Sequence, residues 1–293
     1  METTEQIKET VRRKYGAIAE QSEADGCGCG PTSCCGSTDR GPGMDTGVPI
    51  IMAQDYQELS GYVADADLGL GCGLPTQFAQ IKPGDTVVDL GSGAGNDCFV
   101  ARAETGEGGR VIGLDMTPAM IDRARRNAKA LAYTNVEFVY GDIEDMPLPE
   151  HLADVVVSNC VMNLVPDKAK AFAETFRILK PGGHFSISDI VLKGELPGEL
   201  QRDAELYVGC VSGAIQKEAY LQIVKDSGFT NIRIQKEREI TLPDTVLQNY
   251  LSADEIEGYR QQDRGIYSVT VFAQKPDAET KTTSADRGPD CCN

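Results

Sequence analysis

The sequence predicts a doubly wound α/β fold, in which helices cover both faces of a mostly parallel sheet. Three observations predict it. Apolar runs alternate with helical patterns between residues 86 and 192. These runs are nearly continuous in Val, Ile and Leu, which is typical of parallel strands that are buried on both faces. A glycine-rich loop joins the first run to a helix, as in the first βα unit of ligand-binding sheets of this kind.

The region before the sheet is predicted to contain a helix and a loop. Residues 5–20 carry apolar side chains at helical spacing, which indicates an amphipathic helix. Residues 21–47 are rich in Gly, Ser, Thr and Asp and cannot build a core. We therefore predict that residues 1–47 form a helix followed by a cysteine-rich flexible loop. Residues 54–80 are expected to be irregular or partly helical.

The next region, residues 48–192, is predicted to form the sheet and its helices. Strands are predicted at 86–93 (running into the glycine loop), 110–115, 136–142, 153–159 and 184–192. Helices are predicted at 96–104, 117–132 and 169–183. The second helix opens with Thr117 and Pro118, a favourable N-cap and first-turn pair.

The alternation of strand and helix breaks after residue 193. A helical stretch, a helix with a strand, and a late strand at 267–275 follow one another. We predict that residues 193–275 form a smaller α+β segment that acts as a lid over the site. Residues 276–293 are polar and are predicted to be a disordered tail that ends with a pair of cysteines.

Composition excludes several classes of partner. The 293 residues carry a formal net charge of −17, which repels nucleic-acid phosphates, so we expect no nucleic-acid partner. No apolar run approaches the ~18 residues that cross a bilayer, and the polar N-terminus lacks a signal-peptide pattern. We therefore expect no membrane partner, a monomer by default, and a cytoplasmic location in which cysteines stay reduced.

The glycine loop and three acids indicate a cofactor site. Gly91, Gly93 and Gly95 follow the first strand, where glycine allows close approach of the backbone to a ligand. Their spacing differs from the G-x-G-x-x-G of dinucleotide binders. Asp115 ends the second strand, where an acid can accept both hydroxyls of a ribose, and Asp142 ends the third.

This combination resembles the class I S-adenosylmethionine methyltransferases, over roughly residues 80–192. The resemblance implies a Rossmann-like methyltransferase sheet, with S-adenosyl-L-methionine as cofactor. A positive sulfonium also suits an acidic site better than a pyrophosphate would. The residues predicted to bind the cofactor are Asp89, Gly91, Gly93, Gly95, Asp115, Met116, Asp142, Ile143 and Asn159.

Three isolated cysteines are the least expected feature of such an enzyme. Cys160 follows the fourth strand, Cys72 stands between two glycines, and Cys210 lies beyond the predicted sheet. Methyl transfer itself requires no thiol. A free cysteine is often only a small buried hydrophobe, but three isolated thiols beside a methyl-donor fold suggest a substrate that binds sulfur.

The sequences around these thiols resemble the arsenite methyltransferases. SNCVMNL, GCG, YVGCVSGA and GSGAGNDC match that family in order and spacing, over most of residues 50–230. The resemblance implies that Cys72, Cys160 and Cys210 bind trivalent arsenic and that methyl transfer to arsenite serves arsenic detoxification. It also implies an external thiol reductant, thioredoxin or glutathione. Other metalloids that bind thiols are expected as substrates too, because soft elements prefer thiolate ligands.

The remaining cysteines are predicted to be accessory. Members of the family form a disulfide between an N-terminal cysteine and the counterpart of Cys72, and the resemblance implies Cys34 or Cys35 for this role. Cys291 and Cys292 in the tail either collect metalloid or are inert. Cys98 is expected to point into the core or toward the cofactor.

Two other functions stay open from the sequence. One is methylation of an organic small molecule such as a quinone precursor, which leaves Cys72 and Cys210 unexplained. The other is a metalloid-binding protein that keeps the fold but no longer catalyses methyl transfer. The intact cofactor motif argues against this function. Metalloid-dependent consumption of the cofactor separates these functions.

Overall fold

The computed structural model describes residues 3–24, 56–196, 213–261 and 264–278. The strands are β1 (Thr86–Leu90), β2 (Arg110–Asp115), β3 (Val136–Tyr140), β4 (Ala153–Asn159), β5 (Leu179–Lys193), β6 (Thr230–Ile240) and β7 (Gly265–Gln274). The helices are α1 (Thr4–Ala24), α2 (Pro75–Phe78), α3 (Asn96–Thr105), α4 (Pro118–Ala130), α5 (Lys168–Ile178), α6 (Lys217–Asp226), α7 (Asp244–Leu247) and α8 (Ala253–Arg260). None of the helices described is both long enough and apolar enough to span a bilayer.

The strands form one seven-stranded sheet in the order β3-β2-β1-β4-β5-β7-β6. The first five are parallel, and β7 runs antiparallel between β5 and β6. The order reverses between β1 and β4, and ligands of open α/β sheets bind at such a reversal, beyond the carboxyl ends of the strands. The predicted doubly wound class is confirmed.

Successive residues of each parallel strand face opposite layers of the core. Val87 and Val155 pack in one cluster with Phe99 of α3. Their neighbours Val88 and Val156 pack in another, which includes residues of α5 and α6. Because both faces are covered, the strands need Val, Ile or Leu at almost every position, and this produces the continuous apolar runs of the sequence.

The boundary between α5 and β5 differs from its prediction. The helix ends at Ile178, and the chain is extended from Leu179, where a helix to residue 183 was predicted. Proline disfavours a helical conformation in the residue before it and cannot donate a helical hydrogen bond, so Pro181 ends the helix early. Leu179 already pairs with Ala153 of β4 before the register shifts.

The C-terminal strands belong to the main sheet. β5 and β7 pair continuously from His184 opposite Gln274 to Lys193 opposite Gly265, and β6 pairs with the other edge of β7. The sheet therefore extends beyond residue 192, where the sequence analysis placed its end. The lid role of residues 193–275 stays a prediction. The cysteine-rich loop, most of the helical stretch after 193 and the tail lie outside the described residues.

Candidate active site

A central cavity of about 1090 Å³ of empty space opens where the strand order reverses. Eight of the nine residues predicted to bind the cofactor line it, namely Asp89, Gly91, Gly93, Asp115, Met116, Asp142, Ile143 and Asn159. Helix α1 contributes Lys8, Val11 and Tyr15 to the wall. The structure thus gathers at one cavity the residues that the sequence pattern assigned to one ligand.

The three glycines of the loop have different roles. Gly91 has a φ of +71°, and a side chain there would meet Val161, its nearest atom 2.4 Å from the added Cβ. Gly93 has a φ of +51° and no atom within 4 Å of an added Cβ, which leaves room for a ligand. Gly95 is absent from the cavity wall and instead starts α3, where an added Cβ would clash with Phe99.

The Asp115 carboxylate is fixed by the backbone around it. One oxygen accepts a hydrogen bond from the Gly93 N–H at 3.0 Å, and the other accepts one from the Thr117 N–H at 2.8 Å. Burial raises the pKa of Asp115, and these backbone hydrogen bonds act in the opposite direction. The carboxylate is therefore oriented at the wall of the cavity before any ligand arrives.

Asp142 is paired with the N-terminal helix. Lys8 Nζ lies 2.6 Å from Asp142 Oδ2 and 2.6 Å from Glu144 Oε2. Burial alone would raise the pKa of Asp142, but the hydrogen bonds from Lys8 and from the Glu144 N–H, together with the charges of Lys8 and Arg12, lower that pKa. Lys8 and Glu144 were not among the predicted site residues, because no local pattern shows that the helix near residue 8 lies against the segment that follows the third strand.

A second acid stands beside Asp89 in the cavity wall. Asp97 accepts hydrogen bonds from the Tyr56 hydroxyl at 2.8 Å and from the Thr76 hydroxyl at 3.3 Å. Burial raises the pKa of Asp97 to about 6. Burial and then the charge of Asp97 raise the pKa of Asp89 well above its usual range. Within the described residues, neither acid has a Lys or Arg partner. The pair is suited to bind a cation.

Cys98 belongs to this acid pair and not to a thiol site. Its sulfur donates a hydrogen bond to Asp89 Oδ2 at 3.3 Å. Burial, and then the charge of Asp89, raise the pKa of the Cys98 thiol, which keeps it protonated. It packs in a different core cluster from the two cysteines described next.

Cys72 and Cys160 lie in the same buried cluster, although the sequence separates them widely. Cys72 is fully buried and Cys160 is 3% exposed and lines the central cavity. Cys160 has a φ of +62°, an unfavourable value for a residue with a Cβ, and its N–H bonds the Ser188 carbonyl at 2.8 Å. Such backbone strain is frequent at functional sites.

The other predicted thiols cannot be placed. Cys210 and the accessory Cys34, Cys35, Cys291 and Cys292 lie outside the described residues. Within the part of the chain that the structure describes, no three His, Cys, Asp or Glu side chains form a metal-binding group. The three-thiolate site therefore stays a prediction, of which two members are seen together.

The glycines beside Cys72 are required by close packing. The Cys72 loop (residues 71–73) passes over the end of β4, at Asn159, and over the interior of β5, at Ser188. A Cβ added to Gly71 would lie 2.7 Å from Asn159 Nδ2, and one added to Gly73 would lie 2.4 Å from Ser188 Oγ. The sequence shows that Cys72 stands between two glycines, and the structure shows that neither of these two positions has room for a side chain.

We expect Gly73→Ala to destabilise the fold by about 1–3 kcal/mol, because Ser188 is on a central strand and cannot retreat. The thermal unfolding midpoint would then fall by several degrees. Gly108→Ala is the matched control, since an added Cβ there meets no atom within 4 Å. Equal midpoints for the two variants would contradict the packing of the Cys72 loop.

The fold, the glycine loop and the strand-end acids define an S-adenosylmethionine-dependent methyltransferase. In agreement, residues 81–228 match the family described as a methyltransferase domain. An arsenite methyltransferase of Halobacterium salinarum is 37% identical over 278 residues, 93% of this chain and 67% of that protein. One of Aquipseudomonas alcaligenes is 32% identical, over 84% of this chain and 68% of that protein.

A solved structure agrees with these relatives. An arsenic(III) S-adenosylmethionine methyltransferase from Chlamydomonas reinhardtii superposes with a TM-score of 0.60 at 34% identity, covering 70% of this chain and 68% of that one. The chain belongs to the arsenite methyltransferase family.

Proposed function

We propose that this enzyme methylates trivalent arsenic, supplied as arsenite, which it holds through the thiolates of Cys72, Cys160 and Cys210. One observation carries the proposal. Two cysteines from distant parts of the chain meet in a single buried cluster, and one of them lines the cavity that the cofactor motif builds. A core that needed only small hydrophobes would not require the strained backbone at Cys160.

The residues present fit S-adenosylmethionine, which supplies a sulfonium methyl group when bound. Gly93 leaves the backbone accessible beside the cavity. The buried acids Asp89 and Asp97 have no cationic partner among the described residues and favour a cationic ligand.

Thiolate ligation explains why cysteines serve the reaction. Trivalent arsenic is soft and prefers sulfur to oxygen ligands. Three thiols displace its hydroxyls, each thiol proton leaving with a hydroxyl as water. The arsenic lone pair then forms the As–C bond while the methyl–sulfur electron pair stays on the departing sulfur. The arsenic becomes pentavalent. Two external thiol groups, those of thioredoxin or of two glutathione molecules, return it to the trivalent state by giving up two electrons and forming a disulfide.

The protein contributes position more than proton transfer. The transfer itself needs no general base, because the attacking atom carries a lone pair. Holding two reactants in line at a fixed distance accounts for a large share of rate enhancement in such reactions. Arsenic detoxification, a cytoplasmic location and a monomeric state belong to the same proposal.

The test is the production of S-adenosylhomocysteine by purified protein with a thiol reductant, with and without arsenite. We expect turnover that requires arsenite, and methylated arsenic as its product. Arsenite binding without S-adenosylhomocysteine would indicate a sequestering protein. Turnover of an organic acceptor with no response to arsenite would overturn the proposal in favour of a small-molecule methyltransferase.

A further inference from the structure

The side chain of Asn159 holds the Cys72 loop. Its Oδ1 accepts hydrogen bonds from the N–H groups of Cys72 at 3.0 Å and of Gly73 at 3.3 Å. Its Nδ2 donates to the Gly73 carbonyl at 2.9 Å. Three hydrogen bonds from one amide thus fix the backbone of the residue whose thiol is proposed to bind arsenic.

The same amide also belongs to the wall of the central cavity. Asn159 Nδ2 donates to the Tyr56 hydroxyl and to Asp97 Oδ2, the latter at 3.3 Å. The Tyr56 hydroxyl in turn lies 2.8 Å from Asp97 Oδ2 and 3.2 Å from the Gly73 carbonyl. Asn159, Tyr56 and Asp97 all line the cavity, so one network joins the cavity to the Cys72 loop.

This network has five donor–acceptor contacts but only three hydrogens to share among them. An amide NH₂ carries two hydrogens, and a tyrosine hydroxyl carries one. Asn159 Nδ2 faces three acceptors, and the Tyr56 hydroxyl faces two. Asp97 and the Gly73 carbonyl therefore compete for the same hydrogens. A cation bound against Asp97 occupies its lone pairs and leaves more of those hydrogens for Gly73.

We propose that Asn159, assisted by Tyr56, is a positioning residue that couples occupation of the cofactor cavity to the placement of the Cys72 thiol. The cationic amino-acid end of the cofactor, at Asp97, shifts hydrogen bonds onto the Gly73 carbonyl and holds the Cys72 loop in its arsenic-binding position. This inference rests on the proposed function, because it takes Cys72 to be an arsenic ligand. Hydrogen-bonded networks of this kind act cooperatively, so the two ligands bind more tightly together than apart.

The experiment measures binding of phenylarsine oxide, a trivalent arsenical, to the full reduced chain by calorimetry, with and without saturating S-adenosylhomocysteine. That molecule keeps the amino group and cannot transfer a methyl. The Cys72→Ser variant defines which part of the signal depends on Cys72. We expect the nucleoside to tighten Cys72-dependent binding about tenfold, within the usual range of coupling between sites. By linkage, the arsenical should tighten nucleoside binding by the same factor.

Asn159→Ala should reduce this factor to below about two, whatever it does to either affinity alone. The matched control is Ser186→Ala. Ser186 lies on β5, the strand beside β4, and its hydroxyl donates a buried hydrogen bond to the carbonyl of Pro75, just after the Cys72 loop. This variant should keep the full factor. A general loss of stability would lower the affinity for phenylarsine oxide equally with and without the nucleoside, so the ratio of these two affinities would not change.

Tyr56→Phe keeps the aromatic ring and removes only the hydroxyl, so it carries the test if Asn159→Ala does not fold. We expect it to reduce the factor at least about threefold. An uncoupled wild-type protein, or full coupling in the variants, would overturn the inference while leaving arsenic binding intact. Absence of Cys72-dependent arsenical binding in the wild type would overturn the proposed function, and the inference with it.

Discussion

Replacing Cys160 by serine is expected to reduce arsenite-dependent turnover at least about 100-fold, while the affinity for S-adenosylhomocysteine stays within about threefold. A hydroxyl is a poor ligand for soft trivalent arsenic, and the loss of one thiolate misplaces the attacking lone pair. Serine fits the same buried space and meets the same backbone strain at φ +62°, so the cavity keeps its shape. The measurements are S-adenosylhomocysteine release with saturating arsenite and calorimetric binding of the nucleoside.

Cys98→Ser is the control, since Cys98 is also fully buried but packs in another cluster. A serine hydroxyl can donate to Asp89 as the Cys98 thiol does. We expect this variant to retain turnover within about threefold. If the two variants lose activity equally, burial of any serine disturbs the site and the ligand role of Cys160 lacks support. An active Cys160→Ser variant would refute the thiolate mechanism directly.

The cofactor half of the site was predictable because its signals are local. The glycine loop follows a strand directly, and Asp115 and Asp142 each stand at or just after the end of a strand. Parallel strands bring their carboxyl ends to one edge, so the sequence positions alone imply a shared cavity. Of the predicted cofactor residues, only Gly95 falls outside the wall, because its glycine is needed for packing against Phe99.

The contacts made by distant segments were not predictable. Lys8 reaches Asp142 across 134 positions, and Tyr56 reaches Asp97 across 41. No sequence pattern near residue 8 indicates which part of the sheet domain its helix packs against. The pairing of the late strands was not predictable for the same reason. Their residue pattern predicts strands, but it does not show that β7 pairs with β5. The apolar residues of such a strand can pack beside any antiparallel strand of suitable length, so they do not specify the partner.

The role of the glycines around Cys72 was also hidden from the sequence. The sequence shows a glycine on each side of Cys72, but it does not show that their close neighbours are protein atoms of Asn159 and Ser188. Sequence spacing cannot reveal such a steric requirement, because it arises where residue 71 meets the end of a strand almost 90 positions later. The position of the Cys72 loop thus depends on tertiary contacts that the local sequence does not reveal.

Asp115→Ala should weaken binding of S-adenosylhomocysteine by about 10- to 150-fold. This range corresponds to the loss of about 1.5–3 kcal/mol of binding free energy, which is typical for a hydrogen bond to a charged group. The carboxylate is held by the Gly93 and Thr117 N–H groups, so it presents its remaining lone pairs to a ligand without reorganisation. Its removal also releases the Gly93 N–H, which loosens the glycine loop. The expected defect is therefore in cofactor affinity, measured by calorimetry, while Cys72-dependent binding of phenylarsine oxide alone persists.

The control is Asp122→Ala, which removes an exposed carboxylate from α4, the helix that follows Asp115 in the chain. It changes net charge by the same amount without touching the cavity wall, so it should leave the nucleoside affinity within about twofold. An equal loss in both variants would mean that the long-range field of this acidic protein, and not the oriented Asp115 carboxylate, attracts the cofactor. That alternative predicts strong weakening by salt, whereas a buried hydrogen-bonded carboxylate is screened little.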